Sequence, residues 1–375
     1  MQVPKVMLLG GETLHSLRIA AEVKRDTGAS ITGIGKSRES RLLRSRYCST
    51  IDTLSESERK NRTALLTLID RYEPDVVIPT GYEETELLVE YRESVRQLTN
   101  VCLPPRQSFE TAVSKQQVYE IAADADIDTP TDFTQLVTDN SPETIAEKLE
   151  YPLFLKASKE TGGNVTAKVK SSDSFCEKYY EIDAQIDDGE VLVQEYIEGE
   201  NHTYGFCFLF DHGEPVLSFA HKELRSVPRE GGSGTRVRSY HDDSLTTASI
   251  RLLRRLDWHG IAMVEYVKRR DGSFVLMEIN PKFWASYALA SQCGYRFASH
   301  LIELTLDKSF RIEPMVKKKN MEMVFPLREF NHYLLNRDEE SFLECTSAMF
   351  WPSASWDIDF RDLRAWLTLP RRFSS

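Results

Sequence analysis

Residues 273–282 read Ser273-Phe274-Val275-Leu276-Met277-Glu278-Ile279-Asn280-Pro281-Lys282. The apolar residues around Glu278 predict a strand. On a strand, residues two apart point to the same side, so the Glu278 carboxylate and the Asn280 amide can share one ion. Upstream, Val264-Glu265-Tyr266 lies on the other arm of a hairpin turned at Asp271-Gly272. Pairing of the arms brings Glu265 toward Glu278. Three hard oxygen donors converging on one point suit Mg²⁺, with Mn²⁺ as the substitute. A surface hairpin with its glutamates in water would have the same turn, but Glu278 stands in an otherwise apolar strand.

Working outward, short β-rich runs extend from residue 151 to 280: Leu153–Lys156, Val191–Gln194, Thr203–Phe210, Pro215–Ala220 and Ile261–Val267, with helices near Ser172–Tyr180 and Leu245–Leu256. A second hairpin turn is expected at Asp211-His212-Gly213. Lys156 ends the apolar run Leu153-Phe154-Leu155, where an ammonium is costly unless it meets an anion. Ser158-Lys159-Glu160-Thr161-Gly162-Gly163-Asn164 follows, a loop whose backbone N–H groups can approach phosphates, although turn chemistry alone accounts for such residues. Val193-Gln194-Glu195-Tyr196-Ile197-Glu198-Gly199-Glu200 is a strand running into an acidic, glycine-broken hinge. Such a hinge can offer backbone groups to a flat base and a carboxylate to ribose hydroxyls. A helix is expected over Phe109–Ala125, with Lys115 in its early part.

The first hundred residues alternate strand and helix. Val6-Met7-Leu8-Leu9, Ile31–Ile34 and Val76-Val77-Ile78 are short apolar runs, and apolar residues recur at helical spacing from Leu14. That alternation implies a parallel sheet with right-handed crossovers. Gly10-Gly11 opens a tight turn that can line a cleft, but it lacks the full dinucleotide-binding glycine pattern. Pro104-Pro105 suggests a boundary, and Trp351, Trp356 and Trp366 mark an aromatic C-terminal segment.

A net charge of −11 argues against a general nucleic-acid binder. The six cysteines form no Cys-x-x-Cys pair, so neither a zinc site nor a disulfide framework is suggested, which fits a reducing cytoplasm. No stretch reaches the ~18 apolar residues of a membrane span.

Together, and in this order, the constellations at Lys115, Lys156–Asn164, Glu195–Glu200 and Glu265–Asn280 resemble the ATP-grasp superfamily over roughly residues 114–304. The implied fold combines α/β and α+β: a Rossmann-like pre-ATP-grasp domain at 1–110, an ATP-grasp domain of two α+β lobes at 111–310, and a C-terminal extension at 311–375 packing on the catalytic lobe. On that resemblance Lys115 and Lys156 contact the phosphates of ATP, and Ser158, Gly162 and Gly163 belong to the mobile glycine-rich loop. Glu195, Tyr196 and Ile197 bind adenine, and Glu200 binds ribose. Glu265, Glu278 and Asn280 are the metal ligands, with the glutamate separation of D-alanine–D-alanine ligase. The motif commonly continues to arginine, whereas this chain has Lys282, a point charge without the bidentate fork.

Asn280-Pro281-Lys282-Phe283-Trp284-Ala285-Ser286 is similar to the carboxylate–amine ligase branch that includes D-aspartate ligase-like proteins. The basic residues flanking Gly231-Gly232-Ser233-Gly234-Thr235-Arg236 fit either a loop closing over an acidic substrate or an exposed β-connection with incidental charge. Lys222, Arg225, Arg236 and Ser286 are the expected substrate contacts, with Lys282 and Arg236 stabilising the reacting acyl group. The expected activity joins a small-molecule carboxylate to an amine through an acyl phosphate, releasing ADP and phosphate. No membrane or nucleic-acid partner is expected, and a homodimer is compatible with the resemblance. The alternatives are carboxyphosphate formation from bicarbonate, a non-catalytic nucleotide-binding module and, more distantly, a dinucleotide oxidoreductase.

Overall fold

The structure, a computed structural model, describes residues 3–159, 165–186, 189–227, 233–306, 316–336, 339–352 and 354–368. Strands β1 (Lys5–Leu9), β2 (Ser30–Gly35), β3 (Thr50–Thr53) and β4 (Val76–Pro79) form a parallel sheet in the order β3-β2-β1-β4. The continuous apolar run of β1 follows from burial on both faces. Val6 and Leu8 enter one core cluster, while Met7 and Leu9 enter another. Strand β3 is an edge strand of mixed Thr-Ile-Asp-Thr sequence, which carries no apolar signal. At the end of β1, Gly10 has φ +97°, and a Cβ there would meet the Glu84 side chain at 2.6 Å. That turn therefore requires glycine for conformation and for space.

Strands β5 (Leu153–Ala157), β6 (Thr166–Val169) and β7 (Val191–Glu195) form a small antiparallel sheet in the order β6-β5-β7. Strands β8 (Gly199–Asp211), β9 (Glu214–Val227), β10 (Ser233–Tyr240), β11 (Gly260–Arg269), β12 (Phe274–Asn280), β13 (Glu322–Val324) and β14 (Ala354–Trp356) form a second, larger sheet. Its order is β12-β11-β8-β9-β10-β13-β14. Both expected hairpins are present, β8 turning into β9 at residues 212–213 and β11 into β12 at 270–273. Mixed α/β and α+β layers are thus the architecture.

Two local expectations need correction. The helix expected over Phe109–Ala125 is two helices, Arg106–Val113 and Lys115–Ala123, broken at Ser114. Ser114 adopts φ −90°, ψ 107°, and its side chain accepts from Gln117 N. An N-cap serine thereby begins a new helix with Lys115 as its first residue. Part of the stretch read as a glycine loop is strand: Ser233–Tyr240 pairs antiparallel with β9. A Cβ on Gly234 would lie 2.4 Å from the Glu223 carboxylate, so this glycine serves close approach across a ladder.

The C-terminal segment joins both halves of the molecule. Strands β13 and β14 extend the large sheet, while Trp366 (1% exposed) packs into the core cluster containing Val6 and Leu8. Arg18 lies 5.7 Å above the Trp366 ring. Among the described residues, no helix is long and apolar enough to cross a membrane.

Candidate active site

Antiparallel pairing of β11 and β12 sets Glu265 directly opposite Glu278. Asn280, two residues on, donates from Nδ2 to Glu278 Oε1 at 2.9 Å. Lys115 Nζ stands 3.5 Å from Glu278 Oε2. Burial pushes the Glu278 carboxyl up, but Lys115, Lys156, the Asn280 hydrogen bond and Lys282 together hold it well below the usual carboxylate range. Glu278 is therefore ionised and half-buried among cations, the state a hard cation requires of its ligand.

The lysines are placed by the two segments that meet here. Lys115 N donates to Ser158 O at 3.0 Å, tying the start of its helix to the end of β5. Lys156, 6% exposed, reaches Tyr119 Oη at 3.4 Å. Tyr119 lies 3.1 Å from both Gln194 Oε1 and Met277 O, either of which can accept its proton. Ser158 Oγ accepts from Glu190 N at 3.1 Å, so its hydroxyl braces the loop root. Gly162 and Gly163 lie outside the described residues.

Of these residues Lys156, Gln194, Glu265, Met277, Glu278, Asn280 and Lys282 line one cavity of ≈ 940 Å³, within the range of small-molecule sites. The lining includes Glu195, Tyr196 and Ile197, with the Phe154 ring 6.3 Å from that of Tyr196. Tyr196 N is taken by Pro152 O, its ring lies 3.6 Å beneath Lys168 Nζ, and Glu195 pairs with Arg269. Gln194 is fully buried on this wall, and its Nε2 has no partner among the described residues. An orphaned amide donor on an otherwise apolar wall suits a ligand with ring-nitrogen or oxygen acceptors. Glu200 also lines the cavity. It accepts from Tyr204 Oη at 2.8 Å and pairs with Lys222, which holds its carboxyl below the usual value.

The other end departs from the expected substrate contacts. Arg225 is bound by Glu329 at 2.8 Å and Glu344 at 2.9 Å. Arg236 pairs with Glu322 at 2.6 Å and stacks 3.7 Å from the Trp351 ring. Neither arginine is in the cavity lining, nor is Lys222. Ser286 and Lys282 are in it, with Ser286 Oγ 3.0 Å from Nε2 of the buried His221. Burial drops the His221 pKa to about 4, so its ring is neutral.

The cavity also receives residues that sequence reading missed. Glu223 lines it from β9, its carboxyl raised by burial against hydrogen bonds from Ser226 and Thr203. Alternation along β9 sets Glu223 with His221 and against Lys222, a signal available from the period of two. Arg328 enters from helix Pro326–Asn336 and donates to Gly234 O at 2.8 Å and Ala285 O at 2.7 Å. No local motif announces Arg328. His15 comes from the first turn of the helix Leu14–Thr27, its pKa lowered to about 4 chiefly by burial.

This arrangement defines an ATP-grasp protein. More particularly, the chain belongs to the family described as carbamoyl-phosphate synthase L chain, ATP binding domain, whose profile matches residues 114–312. Three solved structures illustrate the likeness of fold. Biotin carboxylase of Campylobacter jejuni, in a β-γ-ATP complex, is 14% identical over 85% of this chain and 74% of its own, with a TM-score of 0.68. The biotin carboxylase domain of Hydrogenobacter thermophilus 2-oxoglutarate carboxylase, a dimer with MgADP, ADP and bicarbonate, is 16% identical over 86% and 74%, with a TM-score of 0.68. Carboxyaminoimidazole ribonucleotide synthase of Aspergillus clavatus, complexed with ATP, is 19% identical over 88% and 86%, with a TM-score of 0.63.

Proposed function

We propose that the chain is an ATP-dependent carboxylate–amine ligase, in the manner of the D-aspartate ligase-like branch, working through an acyl phosphate. In this reading Glu265, Glu278 and Asn280 hold Mg²⁺. The bound ion would neutralise charge on the triphosphate. Lys115 and Lys156 do the same from the protein side. Gln194, Tyr196 and Ile197 receive adenine, with Glu195 at the same hinge, and Glu200 receives ribose. Ser158, Gly162 and Gly163 belong to the loop over the phosphates.

The observation that carries the proposal is the pairing of charges at the far end of the cavity. Lys282 and Arg328 can hold a carboxylate against the phosphoryl donor and stabilise charge as it develops on the acyl oxygen. Glu223, on the same lining, offers a negative site for an incoming ammonium. Its raised pKa suits it to take a proton as the amine attacks. Ser286, oriented by His221, lines the same substrate space. Arg225 and Arg236 are assigned to holding the C-terminal segment in place.

Phosphate release from Mg-ATP over pairwise pools of small carboxylates and amino acids tests the reading. Release that requires an acid and an amine together is expected. A second reading is favoured by the likeness to bicarbonate-bound and biotin carboxylase structures: carboxyphosphate formation from bicarbonate. ADP release driven by bicarbonate with no other acid would replace the first reading with the second. ATP binding without turnover in any pool would leave only a nucleotide-binding module.

A further inference from the structure

A second cleft, of ≈ 660 Å³, lies where residues 43–51 meet residues 361–364. The two segments are far apart in sequence and firmly pinned. Ser45 Oγ donates to Asp362 Oδ2 at 2.5 Å and Arg46 N donates to Asp362 Oδ1 at 2.9 Å. Beside them, Tyr47 Oη donates to Asp359 at 2.6 Å, and Arg46 Nη1 donates to Arg361 O at 3.1 Å. The one acid in the lining, Asp362, is 3% exposed and committed to this clasp.

Around it stand Arg44, Arg46, Arg361 and Arg364, all exposed. None makes an ion pair among the described residues. Elsewhere in this acidic chain surface arginines do find acids, as in Arg71 with Asp52, Arg254 with Glu214 and Arg270 with Glu198. The fold therefore gathers four like charges from two distant segments into one preformed cleft, and among the described residues the only acid in its lining is the buried Asp362, which pairs with none of them. Repulsion of this kind disfavours the arrangement unless an anion relieves it. Guanidinium groups match phosphate oxygens in a bidentate manner, and several around one cleft favour a multiply charged ligand. The exposed apolar faces of Ile51 and Leu363, 51% and 40% accessible, give such a ligand a non-polar contact as well.

We propose that this cleft is a second binding site, for a small soluble anion bearing two or more phosphate groups. It is separate from the ATP cavity, shares no lining residue with it, and does not depend on the ligase reading. A ligand there would bridge the first sheet's neighbourhood to the C-terminal segment and stabilise their contact.

The test is calorimetric titration of sodium tripolyphosphate into the full chain at low salt. The comparison is the double variant Arg44→Gln/Arg364→Gln, whose altered side chains make no hydrogen bond among the described residues. The wild type should show one more binding event than the variant, or at least about tenfold tighter binding of it, as expected for two lost charge-assisted contacts. That event should weaken as salt screens the charges. The ATP-binding event at the separate cavity should be the same in both proteins. Identical isotherms would overturn the proposal, as would equal binding of sulfate at matched ionic strength, which would mark a screening surface only. Matching melting temperatures without ligand would show that the variant folds.

Discussion

The two ends of the ATP-grasp cavity are built differently. The end assigned to the phosphates in the proposed reading is assembled from short-range pattern: two arms of one hairpin bring Glu265, Glu278 and Asn280 together, and one strand end contributes Lys156. The end assigned to the substrates in the proposed reading is assembled from residues scattered along the chain, His15, Glu223, Lys282 and Arg328, delivered by four separate elements. Chemistry shared by a superfamily can reside in a hairpin whose register is set locally. On the proposed assignment specificity is distributed, so it should be sensitive to how the C-terminal segment docks.

The sharpest break between the two ends should come from Glu278→Gln. Removing the charge held among Lys115, Lys156 and Lys282 should lower ATP turnover by about 10³-fold, on the scale of losing a principal electrostatic stabiliser. The far-ultraviolet circular dichroism spectrum and the melting temperature should stay close to wild type. Phosphate release at the wild-type rate would sink the metal-ligand assignment. At the other end, Arg328→Ala should reduce kcat/KM for the carboxylate by roughly 10²-fold while leaving the ATP dissociation constant within about twofold, as fits loss of a charged hydrogen-bond donor. An equal loss of ATP affinity would mean that the two ends are not separable. A smaller, opposite pattern is expected for Gln194→Leu. Its orphaned amide should contribute about one neutral hydrogen bond, so ATP affinity should fall about fivefold with the acid KM unchanged.

The same contrast explains how much was legible in the sequence. Apolar runs and turn dipeptides revealed β1, β2, β4 and both hairpins, because in each the period of the strand matched its burial. Strand β3 was missed because an edge strand of Thr-Ile-Asp-Thr has no burial to signal it. Strand β10 stayed undecided between a loop and a β-connection because Gly234 looks like loop chemistry when its real constraint is the Glu223 side chain across the ladder. Arg225 and Arg236 looked like substrate ligands because their partners, Glu329, Glu344 and Glu322, come from the C-terminal segment. Nothing near an arginine in sequence reports an ion pair made about a hundred residues away. Arg328 escaped for the converse reason, since its access to the cavity is created by the docking of the helix that carries it.

That docking has a pH-dependent component behind the substrate end. Asp357, 2% exposed, follows β14, and its Oδ1 has no hydrogen-bond partner among the described residues. Burial pushes its carboxyl up to about 7, against the pull of Arg328 and Arg18. An acid whose folded pKa exceeds its unfolded value near 4 stabilises the fold fully below that lower value. The contribution is lost as pH rises toward and through 7. The wild-type melting temperature should therefore fall between pH 5 and pH 8, and Asp357→Asn should flatten that decline, leaving the variant more stable at pH 8 by a few degrees. If both proteins lose stability in parallel over this range, Asp357 does not change protonation between pH 5 and pH 8, and the docking of Arg328 carries no pH dependence from this carboxyl.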